Sequence, residues 1–94
     1  MGRGKGGAGG AYRVVVAERA EKDLERVAAK ELPRIIRKIE SLAGNPRGRG
    51  NRKLVGAENL WRARAGDWRV IYEIDDAEYV VSVVRVRHRR EAYR

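Results

Sequence analysis

Arginines spaced two residues apart, together with one histidine and a tyrosine, are the side chains of this chain best suited to chemistry on an anion. Guanidinium groups bind phosphate oxygens bidentately and keep their proton, so they hold anions and stabilise developing negative charge. Histidine exchanges a proton near neutral pH, and tyrosine donates a hydrogen bond or stacks on a nucleobase. The candidate set for phosphate-ester chemistry is Arg62, Arg64, Arg69, Arg87, His88 and Tyr93, with Lys53, Arg85, Arg89 and Arg90 as further phosphate ligands.

Strand alternation predicts which of these side chains share a face of a sheet. In segment 60–65, Arg62 and Arg64 fall on one face and the apolar side chains fall on the other. In segment 68–74, Arg69 likewise lies opposite the large apolar residues. Each strand therefore offers cations on the face that a hydrophobic core does not use.

The last predicted strand, residues 78–86, leads directly into the C-terminal cations. Simple alternation groups Val81 and Val83 with Arg85 and Arg87. If the register aligns the strands, four guanidinium groups converge, without carboxylate partners, on the sheet face away from the helices. The converging residues are Arg62, Arg64, Arg69 and Arg87. Like charges that lie close together destabilise the fold. Such a cluster is therefore more typical of a site that binds an anion than of a purely structural surface.

The elements that must position these residues follow from hydrophobic periodicity and turn signals. They are a strand at 12–17, helices near 17–28 and 32–43, strands at 60–65, 68–74 and 78–86, and a short C-terminal helix or tail. Gly66-Asp67 predicts a tight hairpin turn, and consecutive strands joined by such turns are antiparallel. The expected fold is α+β, with a two-helix hairpin packed on one face of a small antiparallel sheet in the order β-α-α-β-β-β.

Composition limits the possible functions. The 94 residues suit one domain, which we place at 12–94 after a flexible Gly-rich basic tail at 1–11. Without cysteine there is no disulfide scaffold or zinc-thiolate site, and one histidine makes a histidine-rich metal site unfavourable. No apolar run reaches membrane-spanning length, so we expect a cytoplasmic protein that binds no membrane. The net charge of +9 favours a polyanionic partner.

Each candidate residue also has an ordinary structural interpretation. The arginines of strand 60–65 would then pair with carboxylates across the sheet, which contributes little at a surface. Arg89 and Arg90 would be solvated helix cations, and Lys53 a plain loop lysine. His88 and Tyr93 would pack the end of the sheet. Under this interpretation the chain is a soluble basic protein with a charged face.

Two stretches of the chain, together with the helical hairpin, resemble the RelE/ParE superfamily of toxin–antitoxin toxins, and more closely its RelE branch. The resemblance covers roughly residues 12–94 and includes Lys53-Leu54 with Gly56 soon after. It rests mainly on Leu60-Trp61-Arg62-Ala63-Arg64-Ala65-Gly66-Asp67-Trp68-Arg69-Val70-Ile71-Tyr72 and on Arg87-His88-Arg89-Arg90-Glu91-Ala92-Tyr93. It implies the RelE-like fold just described.

The resemblance also implies an activity: metal-independent cleavage of mRNA in the ribosomal A site by attack of the 2′-hydroxyl on the adjacent phosphate. The family's basic strand pair, two further arginines and C-terminal tyrosine match Arg62 and Arg64, Arg69, Arg87, and Tyr93. Some relatives carry lysines at the strand pair. Arginine is a poor base, so here His88 or Tyr93 is the expected proton carrier, or Tyr93 stacks on a base.

Family membership further implies an acidic, RelB-like antitoxin, the ribosome and mRNA as partners, and operator DNA contacted only through the antitoxin. It implies no cofactor and no metal. Two alternatives stay open. One is a ParE-like poison of DNA gyrase, which generally lacks the arginine and tyrosine set. The other is a non-catalytic module that binds ribosomal RNA.

Overall fold

The computed structural model describes residues 11–56 and 59–92, except for the side chains of residues 91 and 92. The elements are β1 (Arg13–Val16), α1 (Glu18–Glu25), α2 (Leu32–Ser41), β2 (Arg52–Lys53), β3 (Leu60–Ala65), β4 (Trp68–Asp75), β5 (Val80–His88) and α3 (Arg89–Ala92). The strands form one sheet in the order β1-β5-β4-β3-β2. The predicted α+β class is confirmed, whereas the predicted tail at 1–11 lies almost wholly outside the described residues.

The sheet is mixed rather than antiparallel throughout. β2, β3, β4 and β5 pair antiparallel with their neighbours, while β1 pairs parallel with β5. Tight turns set the direction of β3, β4 and β5, whereas β1 is followed by the two helices, so no turn constrains its direction. The two-residue strand β2 was not predicted, because it is too short to show a period.

Three elements have a boundary that differs from the prediction by two residues or more. α1 ends at Glu25 rather than near residue 28, and Val27 reaches the core from the turn that follows the helix. α2 carries Pro33 in its first turn, where the missing N–H costs nothing, and ends at Ser41 rather than near residue 43. β5 begins at Val80 and continues to His88, so the C-terminal cations start on a strand and not in a tail. None of the described helices is long and apolar enough to cross a membrane.

The hydrophobic core lies between the helices and one face of the sheet. The helices contribute Ala20, Ile35 and Ile39, and Leu42 follows α2 directly. The sheet contributes Ala63, Ala65, Val70, Tyr72, Ile74, Val81, Val83 and Val86. The helical residues recur at a spacing of three to four positions, which forms one apolar stripe. Both α1 and α2 pack on this core face of the sheet, and we call the opposite face the open face.

A β-bulge in β5 decides which side chains reach the open face. Tyr72 pairs with Val83 and Ile71 pairs with Arg85, so Val84 is an extra residue between two regular pairs. Simple alternation had grouped Val83 with Arg85, which would have put either a valine on the open face or an arginine in the core. The extra residue reverses the alternation, so Val83 is buried while Arg85 and Arg87 lie opposite Ile71 and Arg69 on the other face of the sheet.

The β3–β4 hairpin closes through the predicted Gly66-Asp67 turn. Gly66 has φ of +65°, a left-handed conformation that residues with a Cβ adopt only with strain. A Cβ at this position would also meet the Arg34 guanidinium, whose Nη1 would be 2.5 Å away. Glycine at position 66 therefore permits this tight turn, and the turn fixes the register between β3 and β4.

Candidate nucleic-acid interface

Three arginines from three adjacent strands form one row across the open face. Arg64 lies opposite Arg69, and Arg69 lies opposite Arg87. Directly opposed residues share a face, with Cβ atoms about 5 Å apart. Arg62 lies on the same face two residues before Arg64, about 6.6 Å along the strand. The structure thus brings together the four arginines that alternation had grouped, and we call Arg64, Arg69 and Arg87 the arginine row.

The row is accessible to a large ligand. Arg64 is exposed, and Arg69 and Arg87 are partly exposed. Within the described part of the chain, Arg64 has no ion pair with a carboxylate. Because arginine does not give up its proton in proteins, the row holds three positive charges at any physiological pH.

Arg85, predicted as a phosphate ligand, instead bonds to a carboxylate of α1. Its Nε and one terminal nitrogen donate to the two oxygens of Asp23 at 2.9 and 3.2 Å. Asp23 also accepts the backbone N–H of Val86 at 2.8 Å, beyond the last pair between β1 and β5. Burial alone would raise the pKa of Asp23, but these bonds outweigh it and lower that pKa. Arg85 therefore fixes the end of β5 to α1.

His88 lies on the opposite face of β5 from Arg87. It pairs with Trp68, and the two rings meet edge to face with centroids 5.2 Å apart. The Trp68 indole N–H in turn donates to Glu31 on the helix side at 2.5 Å. The expectation that an imidazole would share the arginine pocket is therefore corrected, because successive strand residues point to opposite faces.

The other C-terminal candidates have different surroundings. Arg89 forms an exposed ion pair with Asp67 at 3.6 Å, and its backbone N–H donates to the Asp67 carbonyl at 2.7 Å. Arg89 also lines an open cleft with Arg64 and Arg69. Arg90 is exposed, and its backbone N–H donates to His88 Nδ1 at 3.3 Å. Tyr93 lies outside the described residues.

Strand β2 adds cations that the sequence analysis only partly found. Arg52 lies opposite Arg62 on the open face, whereas the predicted ligand Lys53 lies opposite Trp61. Both β2 residues border a cleft with Arg62 and Arg69. Arg52 was missed, although its place beside Lys53 and the alternation rule were enough to select it once a strand was recognised there.

The basic loop before β2 is held to the sheet by a network of side chains. Arg47 donates to both oxygens of Asp76 at 3.1 and 2.8 Å, and its guanidinium lies 5.6 Å from the Trp61 ring centroid. The Tyr12 hydroxyl donates to Asp76 at 2.6 Å. The bonds from Arg47 lower the pKa of Asp76, and the bond to Asp76 raises that of Tyr12.

Tyr72 is unsuited to proton transfer. It is fully buried, and its hydroxyl donates to the Pro46 carbonyl at 2.5 Å. Burial raises the pKa of Tyr72 to about 12, so the phenol keeps its proton. The residue is therefore a structural tie between the sheet and the basic loop.

This arrangement can bind phosphate groups and stabilise extra negative charge on one of them. It does not by itself supply a base or an acid, because guanidinium groups do not exchange protons. Among the described residues, no group of three His, Cys, Asp or Glu side chains is placed to hold a metal ion.

Comparison with known proteins gives consistent results. Residues 14–93 match the family described as ParE toxin of type II toxin–antitoxin system, parDE. A curated protein of Mycobacterium tuberculosis strain H37Rv, Toxin RelE, is 32% identical over 84 residues, which cover 88% of this chain and 87% of that protein.

Two solved structures are similar in fold and sequence. The toxin-antitoxin complex RelBE2 of Mycobacterium tuberculosis contains a chain that is 29% identical, with a TM-score of 0.74 over 84% of this chain and 99% of that one. The archaeal RelE-RelB complex of Pyrococcus horikoshii contains a chain that is 28% identical, with a TM-score of 0.73 over 84% and 96% of the two chains.

Proposed function

The chain belongs to the RelE/ParE toxins of type II toxin–antitoxin systems, on the RelE side of that superfamily, and from this membership we propose that it is a ribosome-dependent endoribonuclease. Its substrate is mRNA in the ribosomal A site, and its action stops translation in the cytoplasm. The observation that carries the proposal is the arginine row, three cross-strand guanidinium groups on the open face of the sheet. A face of that kind fits a phosphodiester better than a neutral substrate.

In the proposed reaction, the 2′-oxygen attacks the adjacent phosphorus and the bond from phosphorus to the 5′-oxygen breaks. The 2′-hydroxyl loses its proton, the leaving 5′-oxygen gains one, and the products are a 2′,3′-cyclic phosphate and a 5′-hydroxyl. Negative charge rises on the non-bridging oxygens as the pentacoordinate phosphate forms. We assign Arg64, Arg69 and Arg87 to those oxygens, and Arg62 to the same or the next phosphate.

The proton carrier is the less constrained part of the mechanism. Between the two candidates, His88 packs against Trp68 on the other face of the sheet, which supports a structural role. We therefore propose that Tyr93 donates to the leaving oxygen or stacks on a base to align the strand. In this proposal the ribosome supplies any acid or base that the protein lacks, so cleavage requires the ribosome.

We also propose an acidic, RelB-like antitoxin as partner. Related toxins of Mycobacterium tuberculosis and Pyrococcus horikoshii were solved in complexes named RelBE2 and RelE-RelB. A net charge of +9 favours an acidic partner over this surface. Contact with operator DNA would then run through the antitoxin.

The test is a purified translation reaction containing a defined message and ribosomes. We expect new message ends only when ribosomes are present, each with a cyclic phosphate upstream and a 5′-hydroxyl downstream, and none when antitoxin is added first. An intact message would refute the proposal. DNA breaks that require gyrase would instead support the ParE-like alternative, and arrested translation without cleavage would support a ribosomal-RNA binder.

A further inference from the structure

A second basic cleft lies beside the arginine row, where α2, the loop before β2 and β3 meet. It encloses about 290 Å³. Five of the seven residues that line it are cationic, and none is acidic. The lining consists of Lys38, Arg49, Gly50, Asn51, Arg52, Arg62 and Arg64.

The cations that α2, the loop and β2 contribute have no carboxylate partner among the described residues. Lys38, Arg49 and Arg52 have no ion pair with any carboxylate of residues 11–56 and 59–92. Two positions before Arg49, in contrast, Arg47 is paired bidentately with Asp76. Grouping unpaired cations opposes folding, so an anionic ligand is the natural counterpart of this cleft.

The cleft is also held in place. Asn51, one of its lining residues, donates from Nδ2 to the Pro46 carbonyl at 3.2 Å, and its backbone N–H donates to Gly48 at 3.0 Å. The Pro46 carbonyl is the one that the buried Tyr72 hydroxyl also bonds. The loop cations therefore project from a backbone tied to the sheet core.

The cleft is continuous with the arginine row. Arg64 belongs to both, and Arg62 and Arg52 also line the neighbouring cleft along β2 with Arg69. We propose that the cleft binds a backbone phosphate of RNA, next to the phosphate that the arginine row holds. None of the described residues that line the cleft is aromatic, so we expect it to contact the backbone without reading a base. The proposal rests on the proposed function only for the choice of RNA as the anion.

The test compares two double variants of the full chain that lose the same charge. Lys38→Ala with Arg49→Ala removes two cleft cations outside the arginine row. Arg19→Ala with Arg37→Ala removes two exposed helix cations that line none of the clefts described above. Thermal unfolding of all three proteins confirms that each is folded before binding is measured.

Binding is measured against salt in two arms: a short single-stranded 2′-O-methyl RNA, which cannot be cleaved, and ribosomes carrying a message with the same modification. In at least one arm, we expect the cleft variant to bind about tenfold more weakly at low salt, with a salt slope smaller by about 0.7 for each phosphate lost. The helix variant should keep nearly the wild-type slope.

Each outcome decides the proposal. Loss in the oligonucleotide arm assigns the phosphate to the message strand, and loss only with ribosomes assigns it to ribosomal RNA; both support the cleft. Equal behaviour of the two double variants in both arms, or no binding by the wild type in either, overturns it. Cleavage by the wild type is scored separately, so a failure of the proposed nuclease activity is recognised independently of the cleft.

Discussion

Replacing Asp23 by alanine should strongly destabilise the protein, because one carboxylate holds the end of β5 to α1. The substitution removes three acceptor contacts, two to Arg85 and one to the Val86 N–H. The side chains of Arg85 and Asp23 are only 29% and 12% exposed, so water replaces these bonds incompletely. Hydrogen bonds to charged groups contribute about 1.5–3 kcal/mol each to stability. Because water partly replaces the lost bonds in the variant, we expect the free energy of unfolding to fall by about 2–3 kcal/mol.

The assay is urea and thermal unfolding at pH 7, with Glu18→Ala as the matched control. Glu18 lies on the same helix and has the same charge, but its contact with Lys22 is 3.9 Å long and exposed. That pair contributes only about 0.3–0.5 kcal/mol. For a domain of this size, the Asp23 variant should unfold about 10–20 °C lower than the wild type, and the control within about 4 °C.

The pH dependence adds a second check. The pKa of Asp23 is lowered by folding, so its contribution is present above the ordinary aspartate value of 3.8 and is lost as the pH falls through the lower, folded value. The difference between wild type and Asp23→Ala should therefore shrink in that acidic range. Equal losses for Asp23→Ala and Glu18→Ala at pH 7 would refute the assigned role of this carboxylate.

Four further substitutions test the structural and catalytic roles assigned above. Tyr72→Phe should lower the free energy of unfolding by about 1–2 kcal/mol, because a buried hydrogen bond is lost, and should leave the cleavage rate unchanged. A large loss of cleavage rate in a normally folded variant would instead show that Tyr72 takes part in the chemistry. Gly66→Ala should cost about 1–2 kcal/mol in urea unfolding, because its φ is positive and Arg34 must move, and a neutral effect would contradict the turn geometry. In single-turnover assays on programmed ribosomes, the His88→Ala protein should cleave the message at nearly the wild-type rate, and the Tyr93→Phe protein about a hundredfold more slowly. The reverse order of rates would assign the proton-carrier role to the histidine.

Much of the fold was predictable because its signals are local. The Gly66-Asp67 turn sets the β3–β4 hairpin, and alternation then places Arg64 and Arg69 on one face. The apolar stripe of α2 likewise identifies the helix face that meets the sheet. These features depend on neighbouring residues alone, so sequence reasoning reaches them.

The features that the sequence analysis missed depend on contacts between distant residues. The parallel direction of β1 follows from the path of two helices, and the bulge at Val84 follows from pairing with β4. The partner of Arg85 lies 62 positions away, which no local pattern reveals. The position of His88 against Trp68 required both the bulge and the extension of β5 beyond residue 86.

The most direct measurement of the central claim is the single-turnover rate of message cleavage by Arg69→Ala on programmed ribosomes. Arg69 is the middle member of the arginine row, with Arg64 and Arg87 on either side. Loss of a group that stabilises developing charge should slow cleavage about a hundred- to a thousandfold at saturating toxin, with a much smaller change in ribosome affinity. Weaker binding with an unchanged saturated rate would contradict the account, since the row would then hold RNA without stabilising its reaction.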